Sequence, residues 1–297
     1  MIRHWQHLLC GVFFLCFASQ NQMATQGAPP AKSLVQIYLI ASGNGDSPPI
    51  PTLSQLVVSI DKQPAQVTSL RSANEDKLLF ALLVDISGSN SRKDASIREA
   101  ALQLFQGLLE GGNEGHLVVF NDQIAMTKGT VHLPEVQRKL DSVRFQGGTR
   151  LYDAIADTCT KILSRSGNPE TPRRAVFLIT DGEDDASEIN HSKAEEIAEG
   201  EGVAIFSLQA GVDGPMTRAE TLHSVRFLQE ASHNTGGQAI RAEKLSDGVP
   251  LLLNAIHEQW ALDILPHQAR DQELHSLSIK SSEKNVRLSS PAKIPLQ

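Results

Sequence analysis

The sequence predicts an α/β protein: a doubly wound, mostly parallel open sheet, with a small β-rich module made from the two chain ends. Three observations carry this expectation. The runs Leu78–Val84 and Ala175–Ile179 are apolar without a break, as strands buried on both faces of a parallel sheet must be. Segments with the 3.6-residue period of amphipathic helices alternate with such runs from Leu78 to about Gln259. Before and after that stretch only short β-rich runs occur, with no helical pattern between them.

The elements follow in order. Arg3 and His4 precede an apolar run, Leu8 to Phe17, and then Ser19-Gln20-Asn21-Gln22. A positive start, a short apolar stretch and small residues at its end describe a secretory signal over residues 1–24, with cleavage after Ala18 favoured and after Ala24 as the alternative. The run is too short to cross a hydrocarbon core of about 30 Å. Residues 25–33 read as a linker, rich in Pro, Gly and Ala. Short strands at Leu34–Ile40, Leu56–Ile60 and from Val67 form an N-terminal β segment over 34–75.

From 76 to 259 the α/β unit begins with the Leu78–Val84 strand. A helix follows, with Ile97, Ala101, Leu104, Phe105 and Leu108 on one side, ended by Gly111-Gly112. His116–Phe120 is the next strand, with Gln123–Met126 as its hairpin partner. Helices are expected at Leu133–Val143, Leu151–Leu163, Ala194–Glu199 and Leu222–Ala231, and strands at Ala175–Ile179, Val203–Leu208 and Gln238–Ala242. Leu245, Val249, Leu252 and Ile256 mark the last helix. Strands at Trp260–Leu265, Leu274–Lys280 and Val286–Leu288 make a C-terminal segment, 260–297, expected to pair with 34–75. Each segment alone is too short to bury a core.

Composition narrows the function. Hydrophobic residues make up 40% and charged residues 21%, ordinary for a globular chain. A net charge of −7 argues against gripping a phosphate backbone, and 5% aromatic content leaves little for base stacking. Cys10 and Cys16 fall within the signal, so the exported chain keeps Cys159 alone. Cys159 shares a helical stripe with Leu151, Ile155 and Ile162, a core position rather than a reactive one.

The chemistry gathers in three loops. Asp85-Ile86-Ser87-Gly88-Ser89 follows the first buried strand, Gly147-Gly148-Thr149 precedes a helix, and Asp181-Gly182 follows the strand ending at Ile179. In an open α/β sheet ligands bind beyond the carboxyl ends of the strands, where these loops lie. Asp85, Ser87, Ser89, Thr149 and Asp181 offer hard oxygen donors, suited to Mg²⁺, Mn²⁺ or Ca²⁺ rather than zinc or copper. On these residues the chain resembles the von Willebrand factor type A (VWA) domain. Its metal-ion-dependent adhesion site reads Asp-x-Ser-x-Ser, then Thr, then Asp-Gly. The resemblance covers roughly residues 78–259, and the flanking β segments are similar in placement to an exported bacterial, acidobacterial-type VWA-related subgroup.

The resemblance implies that Ser87, Ser89 and Thr149 ligate a divalent cation, Mg²⁺ first among the candidates, while Asp85 and Asp181 hold it through water. A partner protein's Asp or Glu would complete the shell, making the chain a non-enzymatic binding protein, exported to the periplasm, the cell surface or the medium. Two alternatives stay open: a structural module whose metal site is occupied but unused, and a metal-dependent hydrolase. Against catalysis, Ser87 stands where a haloacid-dehalogenase-type phosphatase needs a second Asp. The chain also has no nucleophile elbow, no phosphate loop, no dinucleotide fingerprint, and no metal-ligand spacing among its ten histidines. The acidic run Asp181, Glu183, Asp184, Asp185 and Glu188 reads as a solvated loop leading into a helix, with a role for Asp184 or Asp185 at the metal as the alternative. Arg150 reads as a surface residue and Asp85 as a loop residue that can be replaced without harm to the fold. In some related adhesion domains the last helix, here Glu243–Leu253, slides to switch affinity, and this sequence gives no sign of two states.

Overall fold

The computed structural model describes residues 34–43, 49–167, 173–209, 218–267, 271 and 273–296; the segments expected to be a signal and a linker, 1–33, lie outside them. The central sheet has six strands. Five of them, β5 (Leu78–Asp85), β6 (Glu114–Phe120), β8 (Arg173–Thr180), β9 (Val203–Gln209) and β10 (Ala239–Arg241), run parallel. The sixth, β7 (Ile124–Met126), closes a hairpin on β6. Their order across the sheet, β10-β9-β8-β5-β6-β7, reverses between β5 and β8. A doubly wound fold opens its binding crevice at such a reversal.

The uninterrupted apolarity of β5 follows from its place, since both faces are covered. Phe80, Leu82 and Val84 pack with Ile97, Leu104 and Leu252, which lie on α1 (Asp94–Leu108) and α6 (Leu245–His257). Leu79, Ala81 and Leu83 point the other way, into a cluster with residues of α3 (Leu151–Lys161), α4 (His191–Glu201) and α5 (Arg218–Asn234). Alternate residues of one strand thus serve two cores. Each such Leu or Phe contributes about 1.5–3 kcal/mol on leaving water. Cys159 sits fully buried in the second core, where desolvation pushes its thiol far up. Asn90 to Lys93 belong to a short 3-10 turn that leads into α1, and α2 (Leu133–Ser142) packs beside α1. No helix among the described residues is long and apolar enough to cross a membrane.

The chain ends build two further sheets of four strands each. One has the order β13-β1-β11-β4, from Val286–Ser289, Val35–Gly43, Trp260–Leu265 and Gln66–Ser72. The other has the order β14-β12-β2-β3, from Lys293–Pro295, Leu274–Ser281, Leu56–Ile60 and Gln63–Pro64. Val35 stands opposite Ile264, and Ile60 opposite Leu277, so each sheet draws on both ends of the chain. Ile37, Leu39, Val58, Ile60, Leu262 and Ile279 share the core between them. The β2–β3 hairpin turns on Asp61 and Lys62, both at positive φ. At the base of β8, buried Arg173 donates to the carbonyls of Ala73 and Ile256 and to the side-chain oxygen of Gln259, where the α/β unit meets the terminal strands.

Candidate functional site

The site begins with the register of two central strands. Val84 lies opposite Ile179, so Asp85 and Thr180 come out side by side at the carboxyl ends of β5 and β8, where the strand order reverses. This corrects the placing of Asp85 in a loop: it is the last residue of β5 and 0% exposed. One carboxylate oxygen accepts the Ser87 backbone N–H at 2.9 Å and the other accepts the Thr180 hydroxyl at 2.6 Å. Burial, then the charge of Asp181, push Asp85 up to about 7, against the pull of its hydrogen bonds from Ser87 and Thr180. The Thr180 hydroxyl oxygen also accepts from Gly182 N at 3.0 Å. Gly182 has φ +87°, and a Cβ there would lie 2.9 Å from Leu228 Cδ1 and 3.0 Å from the Ser224 carbonyl.

A hydrogen-bonded chain joins the remaining donors. Ser89 Oγ donates to Asp181 Oδ2 at 2.7 Å and lies 3.1 Å from Ser87 Oγ. Beside them Asn90 is fully buried, its Nδ2 3.4 Å from Ser87 Oγ and its Oδ1 without a hydrogen-bond partner. The Thr149 loop is laced to the Ser87 loop through the backbone, Gly88 N to Gly147 O at 3.0 Å and Gln146 N to Ile86 O at 2.9 Å. The five residues picked out in the sequence therefore come together, Asp85 from the end of β5 and the other four from the loops beside it. Ser87, Ser89 and Asp181 are linked by their side chains, Asp85 joins them through the Ser87 backbone N–H, and Thr149 is tied in by its backbone.

The acidic run is a partly exposed loop leading into α4, as expected, and two of its carboxylates also bond to the start of α3 and to the Thr149 loop. Asp185 Oδ1 accepts Thr149 N at 2.6 Å, while Asp185 N and Ala186 N donate to the Thr149 carbonyl at 3.2 and 3.1 Å. Asp184 accepts from Tyr152 N at 3.2 Å, in the first turn of α3, and from Ser187 Oγ at 2.5 Å. In return Asp153 of α3 accepts Glu188 N at 2.9 Å and Ile189 N at 3.2 Å. Asp184 thus satisfies an N–H group that the start of α3 leaves without a partner. Arg150 is likewise engaged, 2.7 Å from Asp153 and 3.0 Å from Glu188. Thr180, Asn90 and Asp185 carry site contacts that the motif does not name. The first could be found by aligning the two apolar runs at their ends, which sets Thr180 against Asp85.

Among the described residues, no group of three or more His, Cys, Asp or Glu side chains is placed to hold a metal ion. The donors here are of another kind, three hydroxyls and two buried carboxylates. Burial and the nearby charge of Asp181 raise the cost of ionising Asp85, and a cation between the loops would offset it. The donor set and the unmatched Asn90 oxygen both fit a hard divalent ion with its water.

An open, doubly wound sheet with Asp-x-Ser-x-Ser, Thr and Asp-Gly loops at its reversal point defines a domain whose specific chemistry lies in those loops. The chain belongs to the von Willebrand factor type A domain family, which it matches over residues 80–248, more than half its length. Among solved structures it is similar to a von Willebrand factor type A protein from Catenulispora acidiphila, at 11% identity and TM-score 0.50, covering 88% of this chain and 72% of that one. It is also similar to an aerotolerance-related membrane protein from Bacteroides fragilis, at 20% identity and TM-score 0.47, covering 61% of this chain and 99% of that one. BatB from Bacteroides thetaiotaomicron aligns at 15% identity and TM-score 0.46, covering 61% and 97%. At such identities the likeness is one of fold. No curated protein matches the chain.

Proposed function

We propose that this VWA protein is exported and binds a protein partner through a divalent cation, without catalysing a reaction. The observation that carries the reading is the bonded set of Asp85, Ser87, Ser89 and Asp181 at the sheet's reversal point, with Thr149 held alongside. Ser87, Ser89 and Thr149 would hold the ion directly, and Asp85 and Asp181 would act through water. Neutral hydroxyls leave much of the charge of Mg²⁺, Mn²⁺ or Ca²⁺ unneutralised, so the ion supplies an electrophilic position for a partner's Asp or Glu carboxylate. Export rests on the pattern of residues 1–24.

A cation that binds only the folded chain raises its melting temperature by mass action. Mg²⁺ at about 100 times its Kd should stabilise the protein by about 2.7 kcal/mol. Asp85→Asn, close to Asp in shape, should fold and lose that response. Thr149→Ala should keep the fold and weaken cation-dependent capture of the partner from envelope or culture fluid. Equal capture by wild type and both variants in chelator would sink the adhesion reading.

A further inference from the structure

Among the described residues, the Thr149 side chain makes no hydrogen bond to the other four donors; its position is fixed through its peptide group. Three hydrogen bonds do the fixing, and all come from Asp185 and its neighbour: Thr149 N to Asp185 Oδ1 at 2.6 Å, Asp185 N to Thr149 O at 3.2 Å, and Ala186 N to Thr149 O at 3.1 Å. The contact is close-fitted. A Cβ on Gly148 would fall 2.7 Å from the same Asp185 oxygen, so the approach needs a residue without a side chain at that position. Asp185 itself is exposed on its outer side and belongs to the loop that begins at Asp181. Its carboxylate thus spans two ligand-bearing loops, one carrying Thr149 and one carrying Asp181.

We infer that Asp185 is a positioning residue, setting the spacing between the Thr149 hydroxyl and Asp181 and so the affinity of the site for a divalent cation. This rests on the cation reading given above. The physical reason is the rigidity that a small hard ion demands. Mg²⁺ and Mn²⁺ sites tolerate little error in donor placement, and a hydroxyl on an untethered loop must be ordered at the moment of binding. A short, charge-assisted hydrogen bond to the peptide N–H holds Thr149 before the ion arrives. Residues that orient metal ligands in this way are worth about 10–100-fold in affinity.

The test separates positioning from the mere charge of a nearby carboxylate, because the bond is to the Thr149 backbone, which Thr149→Val preserves. Titrate the full chain with Mn²⁺, following free Mn²⁺ by electron paramagnetic resonance, and record melting temperature in chelator. Asp185→Ala should weaken Mn²⁺ binding about ten-fold in the wild-type background. In the Thr149→Val background the same change should have less than about a two-fold effect on affinity, yet lower the melting temperature as much as before. Asp185→Asn, which keeps the accepting oxygen, should stay within about three-fold of wild type. Gly148→Ala keeps every charge and pushes Asp185 off the peptide, so it should reproduce the loss, and it answers the question even if Asp185→Ala fails to fold. Equal weakening in both backgrounds would reassign the effect to charge, and unchanged affinity in Gly148→Ala would overturn the inference. Failure of the wild-type chain to bind Mn²⁺ would instead remove the cation reading itself.

Discussion

Thr180 does two things with one hydroxyl: it donates to Asp85 and accepts from Gly182 N. Thr180→Val preserves shape and leaves a buried carboxylate and a buried N–H each short of a partner. Such losses cost about 1–3 kcal/mol apiece. The variant should therefore melt several degrees lower in chelator, and a melting temperature within a degree of wild type would contradict this account. Gly182→Ala meets a different obstacle, since its φ of +87° and the nearby Ser224 carbonyl leave no room for a methyl group. It should cost about 1–3 kcal/mol and blunt the Mg²⁺ response by displacing Asp181. The motif residues could be read off the sequence because their types and spacing are chemical. Asn90 and Asp185 could not be, for their roles depend on where a loop folds back in space. Asp185 shares its run with Asp184, and nothing in their order tells which one reaches Thr149.

At the level of elements, the long helices and central strands declare themselves by period, whereas two short strands do not. β3 is two residues long and contains Pro64, and β14 contains Pro295, so neither has a run long enough to alternate. The β2–β3 turn is equally quiet, using Asp61-Lys62 where Asn-Gly or Asp-Gly is the usual signature. What anchors that turn is a histidine on the neighbouring strand. His275 Nδ1 lies 2.7 Å from Asp61 Oδ2 and Nε2 lies 2.8 Å from Asp271 Oδ1. Burial alone would lower the His275 pKa, but the hydrogen bonds and charges of Asp61 and Asp271 outweigh it and raise it above 6.5. A raised histidine pKa means protons bind the folded state more tightly, so this stability is present below pH 6.5 and fades as pH rises through the folded value. Denaturant unfolding should show wild type losing up to about 1 kcal/mol between pH 6 and 8.5 relative to His275→Gln. Parallel pH profiles for the two proteins would rule the effect out.

For the whole molecule, Arg173 is the fastening between the α/β unit and the terminal strands. Its guanidinium bonds the Ala73 carbonyl just after β4, the Ile256 carbonyl in α6 and Gln259 just before β11, with the Tyr38 ring 6.0 Å away. Replacing a buried, fully used cation strands its acceptors, a loss of about 3 kcal/mol or more. Arg173→Met should then lower the melting temperature by roughly 6–12 °C while leaving the Mg²⁺-induced shift intact, because the site lies at the opposite ends of the strands. A normal melting temperature would mean the two parts are held mainly by apolar contact. The doubly wound class was legible because alternating apolar runs and amphipathic segments admit few other arrangements. The division of the terminal strands between two sheets was not, since β pairing across more than two hundred residues leaves no local mark.

That long-range pairing also sets an order in time. Gln36 and Asp263, bonded across neighbouring strands, stand 227 residues apart. A chain made or threaded from its amino end presents β1, β2 and β4 first, and their partners β11 and β12 last. Until those partners are made, the early strands carry open, apolar-faced edges, the surfaces through which partly folded chains aggregate. The α/β unit lying between them can close on itself meanwhile, so the sandwich is the final piece to assemble. β1 in particular has no partner strand until β11 and β13 are made.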